Sequence, residues 1–420
     1  MLLRIFASNF LSFKDSVEFS FAAKHVKNNN AVFFIEKEYG KRGKKYAVNK
    51  VSAIYWANAS WKTNLLKIIK FIKEMILFSH NQNFLPSHLW YKPYLLNTEQ
   101  KNSEFWVDFF IDEILYSYYF IIDSKTDKIL EETLLEYKSQ KATTLYKRKL
   151  QHFTFSESFS AEWKNRKDFV RENSLALSVF SNMSWEISSK IRKFFLEKVH
   201  IFQIENNIHW IPGQFNMNDT ITMIDKYSQD FWLFLQKFLL SADININKMD
   251  YKIEEKSVPG ISPNNEGKIR IFTNSFNRSI YDNNWNKVEE INFTPDLEST
   301  WTNRLVSLSG SLYNVIKHWM TLFIDELDSS LHPLLLKEIV KAFNSQRNIL
   351  NWQLIFTSHD VSLLNDPQIL PRDQIWFVDK NIKWESTIYS LDDYKGLNNR
   401  NIETDYLLWR FDAIPHTKTI

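Results

Sequence analysis

Cysteine is absent from the 420-residue sequence, and only 7 glycines occur in it. Without cysteine the chain has no disulfide bonds and no thiolate metal ligands, which fits a reducing cytoplasm. No apolar run reaches the roughly 18 residues that a membrane helix needs, and the alternating start of the chain is unlike a signal peptide. We therefore expect a cytoplasmic protein without a membrane-spanning segment.

An excess of charge of one sign is also lacking. The net charge is +3, so the protein has no strong overall field that would favour nucleic acid or an acidic membrane surface, although a local basic patch remains open. Hydrophobic residues make up 44% of the chain, enough for a large core. The composition indicates a globular protein with one large domain or two smaller ones.

The shortage of glycine coincides with a surplus of tryptophan. Average usage would give about 29 glycines at this length, whereas the chain has 7 glycines and 15 tryptophans. Some bacterial lineages read the codon UGA as glycine, and a translation table that reads UGA as tryptophan would exchange the two residues. This hypothesis predicts tryptophans at positions where the backbone requires glycine.

Residues 51–69 have the order of a phosphate-binding loop. A strand-like run precedes Lys62 and Thr63, and a helical run follows them. Such loops carry a glycine, four residues and then Gly-Lys-Ser/Thr, so that backbone N–H groups can approach phosphate closely. Here tryptophan stands at both glycine positions, Trp56 and Trp61. An indole at position 61 would occupy the space of the phosphate oxygens.

Two later strands end in side chains suited to nucleotide hydrolysis. The apolar run 319–324 ends in Asp325 and Glu326. An aspartate at this place can hold Mg²⁺, and a glutamate can orient and deprotonate the attacking water. The run 353–358 ends in His359, a candidate sensor of the γ-phosphate. Taken alone, the first run is also typical of a strand that ends in a solvated turn, and a lone histidine at a strand end is usually structural.

The remaining pattern predicts a mixed α/β chain. Alternating runs within 2–21 and 105–149 predict antiparallel strands, and 158–241 has a helical period. Apolar strands that alternate with helices after residue 319 predict a mainly parallel sheet with its site at the carboxyl ends of the strands. Further strands are expected at 248–256, 268–273 and 288–293, with a loop at 259–267.

Assembled, these residues resemble an ABC-type ATPase head of the OLD-like (overcoming-lysogenization-defect) and SMC-related group, whose members are often described as AAA-domain proteins. The most specific match is 324–333, Ile-Asp-Glu-Leu-Asp-Ser-Ser-Leu-His-Pro. The runs 9–15, Asn-Phe-Leu-Ser-Phe-Lys-Asp, and 298–305, Glu-Ser-Thr-Trp-Thr-Asn-Arg-Leu, match as well. The family pattern has glycine where Trp301 stands. Residues 307–310 also resemble an ABC signature, but the flanking residues favour Ser299.

The resemblance implies a P-loop NTPase fold of the ABC-head type. Such a fold has a mainly parallel core sheet, an antiparallel β layer and a helical insertion. The expected boundaries are 1–157 for the N-terminal lobe with the P-loop, 158–250 for the helical insertion, and 251–420 for the C-terminal lobe with the signature, the Asp-Glu pair and the switch histidine.

The resemblance also implies a role for each matched residue at the nucleotide. Lys62 would contact the β- and γ-phosphates, and Thr63 and Asp325 would hold Mg²⁺. Glu326 would be the catalytic base, and His359 the switch histidine. The implied nucleotide-binding set is Trp56, Ala57, Asn58, Ala59, Ser60, Trp61, Lys62, Thr63, Asn64 and Ser299.

A homodimer follows from the same resemblance. Ser299 would reach the γ-phosphate bound by a partner chain, so that two heads enclose two ATP molecules, with Asp328 at the interface. The implied function is Mg²⁺-dependent ATP binding and hydrolysis that closes and opens this dimer. The group's roles lie in DNA transactions or anti-phage defence, commonly with a separate effector protein.

This ATPase function requires glycine at Trp56 and Trp61 in the native protein. If both are tryptophan, the alternative is a catalytically dead pseudo-ATPase that acts as an interaction scaffold. Trp285, Trp384 and Trp409 also stand where glycine is expected, in turns or at a family glycine. Trp376, by contrast, lies in a strand where the family itself carries tryptophan.

A third interpretation is a DNA-binding module. Four basic residues fall along one helical segment: Lys190, Arg192, Lys193 and Lys198. A solvated helix face is the commoner explanation of such a run.

Overall fold

A computed structural model of the chain describes residues 1–24, 30–39, 44–56, 62–81, 91–97, 101–138, 141–157, 164–202, 218–242, 248–258, 267–294, 296–329, 331–349, 352–381, 383–394 and 401–407. The chain divides into two compact units. The first comprises Met1–Phe202, Trp319–Asp328 and Lys337–Ile420, and the second comprises Gln203–His318 and Ser329–Leu336.

The strands are β1 (Leu2–Ser8), β2 (Val17–Ser20), β3 (Val32–Tyr39), β4 (Lys44–Asn49), β5 (Val51–Trp56), β6 (Ser103–Ile111), β7 (Ile114–Ile122), β8 (Ile129–Tyr137), β9 (Ala142–Lys149), β10 (His152–Phe155), β11 (Val199–Phe202), β12 (Lys248–Val258), β13 (Gly267–Tyr281), β14 (Lys287–Phe293), β15 (Thr321–Ile324), β16 (Gln353–Thr357), β17 (Ile375–Lys380) and β18 (Ser386–Ser390). The α-helices are α1 (Lys62–Phe78), α2 (Ala176–Asn182), α3 (Glu186–Glu197), α4 (Asn218–Ser241), α5 (Thr300–His318), α6 (Pro333–Asn344) and α7 (Ile402–Leu407).

A seven-stranded antiparallel sheet forms one layer of the first unit, in the order β10-β9-β8-β7-β6-β1-β2. Its strands alternate between buried and half-exposed residues, as a sheet with one face on a core requires. Aromatic side chains fill this face. Phe105 lies 4.9 Å from Phe71 of α1 and 5.3 Å from Phe10, measured between ring centroids. The core therefore lies between this sheet and α1.

A six-stranded sheet forms the second layer, in the order β11-β15-β16-β5-β17-β18. Its pairings are parallel except for the β17–β18 hairpin. β15 and β16 are buried along their whole length, as strands covered on both faces are. In register, Ile324 lies opposite Phe356, and Thr357 lies opposite Ile54. The carboxyl ends of β15, β16 and β5 therefore lie side by side at one edge.

Helices α2 and α3 belong to the first unit, which differs from the expected helical insertion at 158–250. The strand β11 follows α3 directly and pairs in parallel with β15, so the core sheet extends to Phe202. A buried carboxylate anchors the start of α2. Glu132 of β8 accepts hydrogen bonds from the backbone N–H groups of Ala176 and Leu177, at 2.8 and 3.0 Å. The unit boundary consequently falls after Phe202 rather than near residue 158.

The second unit pairs α4 with α5 and contains the antiparallel sheet β12-β13-β14. The two helices approach very closely at Gly310, where a Cβ atom would lie 2.3 Å from the backbone nitrogen of Thr220. The hydroxyl of Thr220 donates to the carbonyl of Val306 at 2.9 Å. Gly310 is therefore required for helix contact, and the neighbouring Ser307 and Ser309 are buried in the same interface.

The predicted fold class is confirmed: the chain is α/β, with a mainly parallel core sheet and an antiparallel layer. The strands expected at 2–21, 105–149 and 288–293 are present, and β13 is longer than expected. Most of the loop predicted at 259–267 lies outside the described residues. None of the helices in the described part of the chain is long and apolar enough to cross a membrane.

Candidate nucleotide site

The carboxyl edge of the parallel sheet brings together residues that are far apart in the sequence. Thr63 lies in the first turn of α1, the next element in the chain after β5, and Asp325 follows β15. The hydroxyl of Thr63 donates to Oδ2 of Asp325 at 2.7 Å. The two side chains expected to hold Mg²⁺ therefore meet, although 262 positions separate them.

The second oxygen of Asp325 has a different partner. Thr357, the last residue of β16, is fully buried, and its hydroxyl donates to Oδ1 of Asp325 at 2.7 Å. The backbone N–H of Glu326 donates to the same hydroxyl oxygen at 2.7 Å. One side chain thus contacts both carboxylate residues of the Asp-Glu pair. Sequence reasoning missed Thr357, and its only sequence signal is a hydroxyl at the end of the strand that precedes His359.

Glu326 has a strained backbone, with a φ of 50°. For a residue other than glycine this left-handed conformation costs about 1–2 kcal/mol. Hydrogen bonds on either side offset the cost, since the N–H groups of Glu326 and Leu327 both donate to Thr357, the second to its carbonyl at 3.0 Å. Strain of this kind is common at functional sites. The half-buried Glu326 is therefore fixed close to Asp325.

His359 is exposed two residues beyond the end of β16. Its backbone N–H donates to Oδ2 of Asp328 at 2.9 Å, so the segment after the Asp-Glu pair and the histidine segment are joined. Tyr55 of β5 is fully buried behind them. Burial, helped by the carboxylates of Asp360 and Asp328, raises the pKa of Tyr55 well above its ordinary value. Its phenol therefore stays protonated beside this acidic edge.

The start of α1 has features that suit an anion. Backbone N–H groups at a helix N-terminus attract phosphate, and no acidic residue occupies the first turn of α1. Asn64, the next residue after Thr63, is buried and donates to the hydroxyl of Ser12 at 3.0 Å. The run 9–15, which carries part of the family resemblance, therefore contacts the helix that begins the candidate site.

Part of the predicted site lies outside the described residues: Ala57, Asn58, Ala59, Ser60 and Trp61. The side chains of Trp56 and Lys62 are likewise not among the described ones. Of the predicted set, the structure brings together Thr63, Asp325 and Glu326, with His359 on the adjacent segment.

Ser299 lies in the second unit, at the N-terminus of α5. Its hydroxyl accepts a hydrogen bond from the N–H of Thr302 at 3.0 Å, and its side chain is exposed. The alternative signature at 307–310 is in the middle of the same helix, where its serines are buried against α4. Ser299 is therefore exposed, whereas Ser307 and Ser309 are buried.

Three tryptophans adopt the backbone conformation that favours glycine. The φ angles of Trp285, Trp319 and Trp384 are 63°, 57° and 67°. Their exposed fractions are 84%, 51% and 52%, whereas Trp376 in β17 is 8% exposed. This is the pattern that the glycine hypothesis predicts for Trp285, Trp384 and Trp376. Trp319 was not among the positions where the sequence predicts glycine. It stands directly after the last residue of α5, where helices often end in a left-handed glycine.

Two of the four basic residues in the segment 190–198 have acidic neighbours one turn away along α3. Lys190 contacts Glu186 at 2.8 Å, and Lys193 contacts Glu197 at 4.0 Å. The ammonium group of Lys198 lies 5.6 Å from the ring centroid of Trp319. These contacts are those of a solvated helix face rather than of a charged stripe for phosphates.

A family model matches residues 304–365 of the chain, and its description is "AAA domain, putative AbiEii toxin, Type IV TA system". The match contains the Asp-Glu pair and His359. A comparison with curated protein sequences finds no significant match.

Among solved structures, the chain is similar to an SMC head domain from Thermotoga maritima. The identity is 12%, the TM-score is 0.37, and the similarity covers 93% of this chain and 98% of the other. A second similar structure is an SMC head bound to the C-terminal winged-helix domain of ScpA, with 12% identity, a TM-score of 0.42, and coverage of 93% and 97%. At this low identity and TM-score, neither similarity is informative about activity.

Proposed function

We propose that the chain binds ATP with Mg²⁺ and hydrolyses it at the carboxyl edge of the parallel sheet. The observation that carries this proposal is the 2.7 Å contact between Thr63 and Asp325. A hydroxyl in the first turn of a helix and a carboxylate at the end of a neighbouring strand are the protein ligands that Mg²⁺ takes in P-loop NTPases. The hard oxygen donors present here fit this ion.

Each residue of the predicted site then has a defined task. Thr63 and Asp325 hold Mg²⁺, which when bound neutralises charge on the phosphates. Lys62 binds the β- and γ-phosphates, together with the N–H groups of residues 56–64. Glu326 orients the attacking water and accepts its proton, and the left-handed backbone fixes the direction of its side chain. His359 senses the γ-phosphate.

A dimer completes the proposal. Ser299 is exposed at the N-terminus of α5, where N–H groups and a hydroxyl can bind the γ-phosphate held by a second copy. ATP would close such a dimer and hydrolysis would open it. From the resemblance to OLD-like heads we also propose a cytoplasmic role in defence or DNA transactions, with a separate effector. The matched family description names a toxin–antitoxin system, which favours defence among these roles.

The second candidate is a pseudo-ATPase that acts as a scaffold. The observation that favours it is tryptophan at both glycine positions of the loop, Trp56 and Trp61. Genuine indoles there would fill the phosphate space, while the fold and its surfaces would persist.

Nucleotide binding separates the two candidates. We would prepare the chain as written and a Trp56→Gly/Trp61→Gly variant, and measure the ATP-dependent thermal shift with Mg²⁺ and with EDTA. The ATPase proposal predicts a Mg²⁺-dependent shift in the glycine variant, and none in the chain as written. The mass of the tryptic peptide Val51–Lys62 from the native organism then states which form exists. Two tryptophans in that peptide, or no shift in the glycine variant, would overturn the ATPase proposal.

A further inference from the structure

The only described side chain that joins both members of the Asp-Glu pair belongs to β16. Thr357 is the last residue of that strand and is fully buried. Its hydroxyl group donates its one hydrogen bond to Oδ1 of Asp325, at 2.7 Å between the oxygen atoms. The oxygen accepts the N–H of Glu326, also at 2.7 Å. The hydroxyl is therefore used both as donor and as acceptor.

This arrangement divides the two oxygens of Asp325 between two tasks. Oδ2 faces the hydroxyl of Thr63, the other expected Mg²⁺ ligand. Oδ1 faces Thr357, which has no place in the predicted site. A hydrogen bond to the far oxygen of a metal-binding carboxylate fixes the orientation of the near one.

The same residue also determines the backbone of Glu326. The N–H groups of Glu326 and Leu327 both donate to Thr357, one to the hydroxyl and one to the carbonyl. These two bonds enclose the residue whose φ is 50°. Without the hydroxyl, the N–H of Glu326 would lose this hydrogen bond, which helps to hold the backbone that carries the carboxylate.

We infer that Thr357 is a positioning residue that orients Asp325 toward Mg²⁺ and Glu326 toward the attacking water. The inference rests on the proposed ATPase function and adds to it a residue that acts through Asp325 and Glu326. It follows that the hydroxyl, and not the methyl group, is the part of Thr357 that hydrolysis requires.

Two variants separate the hydroxyl from the shape of the side chain. Thr357→Val keeps the shape and removes the hydroxyl, whereas Thr357→Ser keeps the hydroxyl. Ser52→Ala is the matched control, because Ser52 is a fully buried hydroxyl of the adjacent strand β5 with no hydrogen-bond partner among the described residues. All are made in the chain with glycine at positions 56 and 61. The measurements are kcat, KM for ATP and, apart from turnover, the Mg²⁺ concentration that gives half of the ATP-dependent thermal shift.

We expect Thr357→Val to lower kcat by about 10- to 100-fold and to raise the Mg²⁺ requirement, as losses of outer partners of metal ligands do. The KM for ATP should change little, because the loop and Lys62 bind the phosphates. Thr357→Ser and Ser52→Ala should have a kcat and a Mg²⁺ requirement close to those of the parent chain. If Thr357→Val keeps the parental kcat and Mg²⁺ requirement, or if Thr357→Ser loses as much as Thr357→Val, the inference is wrong while the ATPase function stands. A parent chain that does not hydrolyse ATP would overturn both.

Discussion

The carboxylate of Asp328 holds the backbone of His359: Oδ2 accepts the His359 N–H at 2.9 Å. This bond joins the segment that carries the Asp-Glu pair to the segment that carries the candidate γ-phosphate sensor. A shift of the backbone in either segment would therefore move the other. Such coupling would suit the proposed response of the site to the γ-phosphate.

Asp328→Ala should release His359 without disturbing the metal ligands. A hydrogen bond to a charged acceptor contributes about 1.5–3 kcal/mol, so we expect kcat to fall by at least about tenfold. The measurement is steady-state ATP hydrolysis in the chain with glycine at 56 and 61. Asp328→Asn keeps an oxygen acceptor and should retain most of the rate. Equal rates for the alanine variant and the parent would show that the bond has no role in hydrolysis.

Trp285→Gly should stabilise the protein. The φ of Trp285 is 63°, and its side chain is 84% exposed, so the substitution removes backbone strain and little burial. We expect the free energy of unfolding to rise by about 1 kcal/mol, measured by denaturant titration. Trp319→Gly should raise the free energy of unfolding by less, because the substitution also removes the contact between the indole ring and Lys198.

The control for this prediction is a buried tryptophan. Trp376→Gly removes an 8% exposed ring that packs edge-on against Phe19 at 4.9 Å between centroids. A loss of about 3–5 kcal/mol is expected there. If Trp285→Gly destabilises the protein as Trp376→Gly does, the glycine hypothesis loses its structural support.

The buried pair of Glu132 and Arg148 should be essential for the first unit. Both side chains have no exposed surface and lie 3.4 Å apart. Glu132 also accepts from the hydroxyls of Tyr118 and Tyr146, at 2.7 and 2.6 Å. Arg148→Met leaves a buried carboxylate without its countercharge, and we expect a loss of about 3–5 kcal/mol in the free energy of unfolding.

The exposed pair on α3 provides the comparison for this ion pair. Glu186→Ala removes a contact with Lys190 in which both side chains are mostly exposed to water, at 79% and 53%. The unfolding midpoint should stay where it is in the parent. An Arg148→Met variant as stable as Glu186→Ala would contradict the importance of the buried network.

Burial of Lys50 should make the stability of the fold depend on pH. The residue is buried, and desolvation lowers the pKa of its ammonium group from the ordinary 10.5 to about 8. Between these values the unfolded chain binds more protons than the folded one, so this residue's contribution to stability rises as pH increases from about 8 to 10.5. The measurement is the unfolding midpoint relative to a Lys50→Met variant, at pH 7 to 11. A difference that does not change over this range would refute the shift.

Much of the fold follows from periodicity. Strands such as β8, at Ile129–Tyr137, have a clear alternation and lie within the run 105–149 that predicts antiparallel strands. The four-residue strand β11 was not predicted, because it continues the apolar pattern of α3 without a break. It joins the sheet only through β15, a partner more than 100 positions away, and no local pattern records such a pairing.

The site was partly predictable for the same reason. Asp325, Glu326 and His359 end apolar strands, and parallel strands bring their carboxyl ends to one edge. Thr357 was missed because its role depends on the register of β16 against β15. Trp319 was read as the start of a strand, and only the backbone of the helix end shows its left-handed conformation.

The most direct test of the ATPase account is the rate of Mg²⁺-dependent ATP hydrolysis by protein purified from the native organism, compared with its Glu326→Gln variant. The amide keeps the size of the side chain and cannot accept the proton of water. We predict turnover by the native protein that stops in EDTA, and a variant that still binds ATP but hydrolyses it at least about 100-fold more slowly. Equal rates for the two proteins, or no hydrolysis by the native one, would contradict the account.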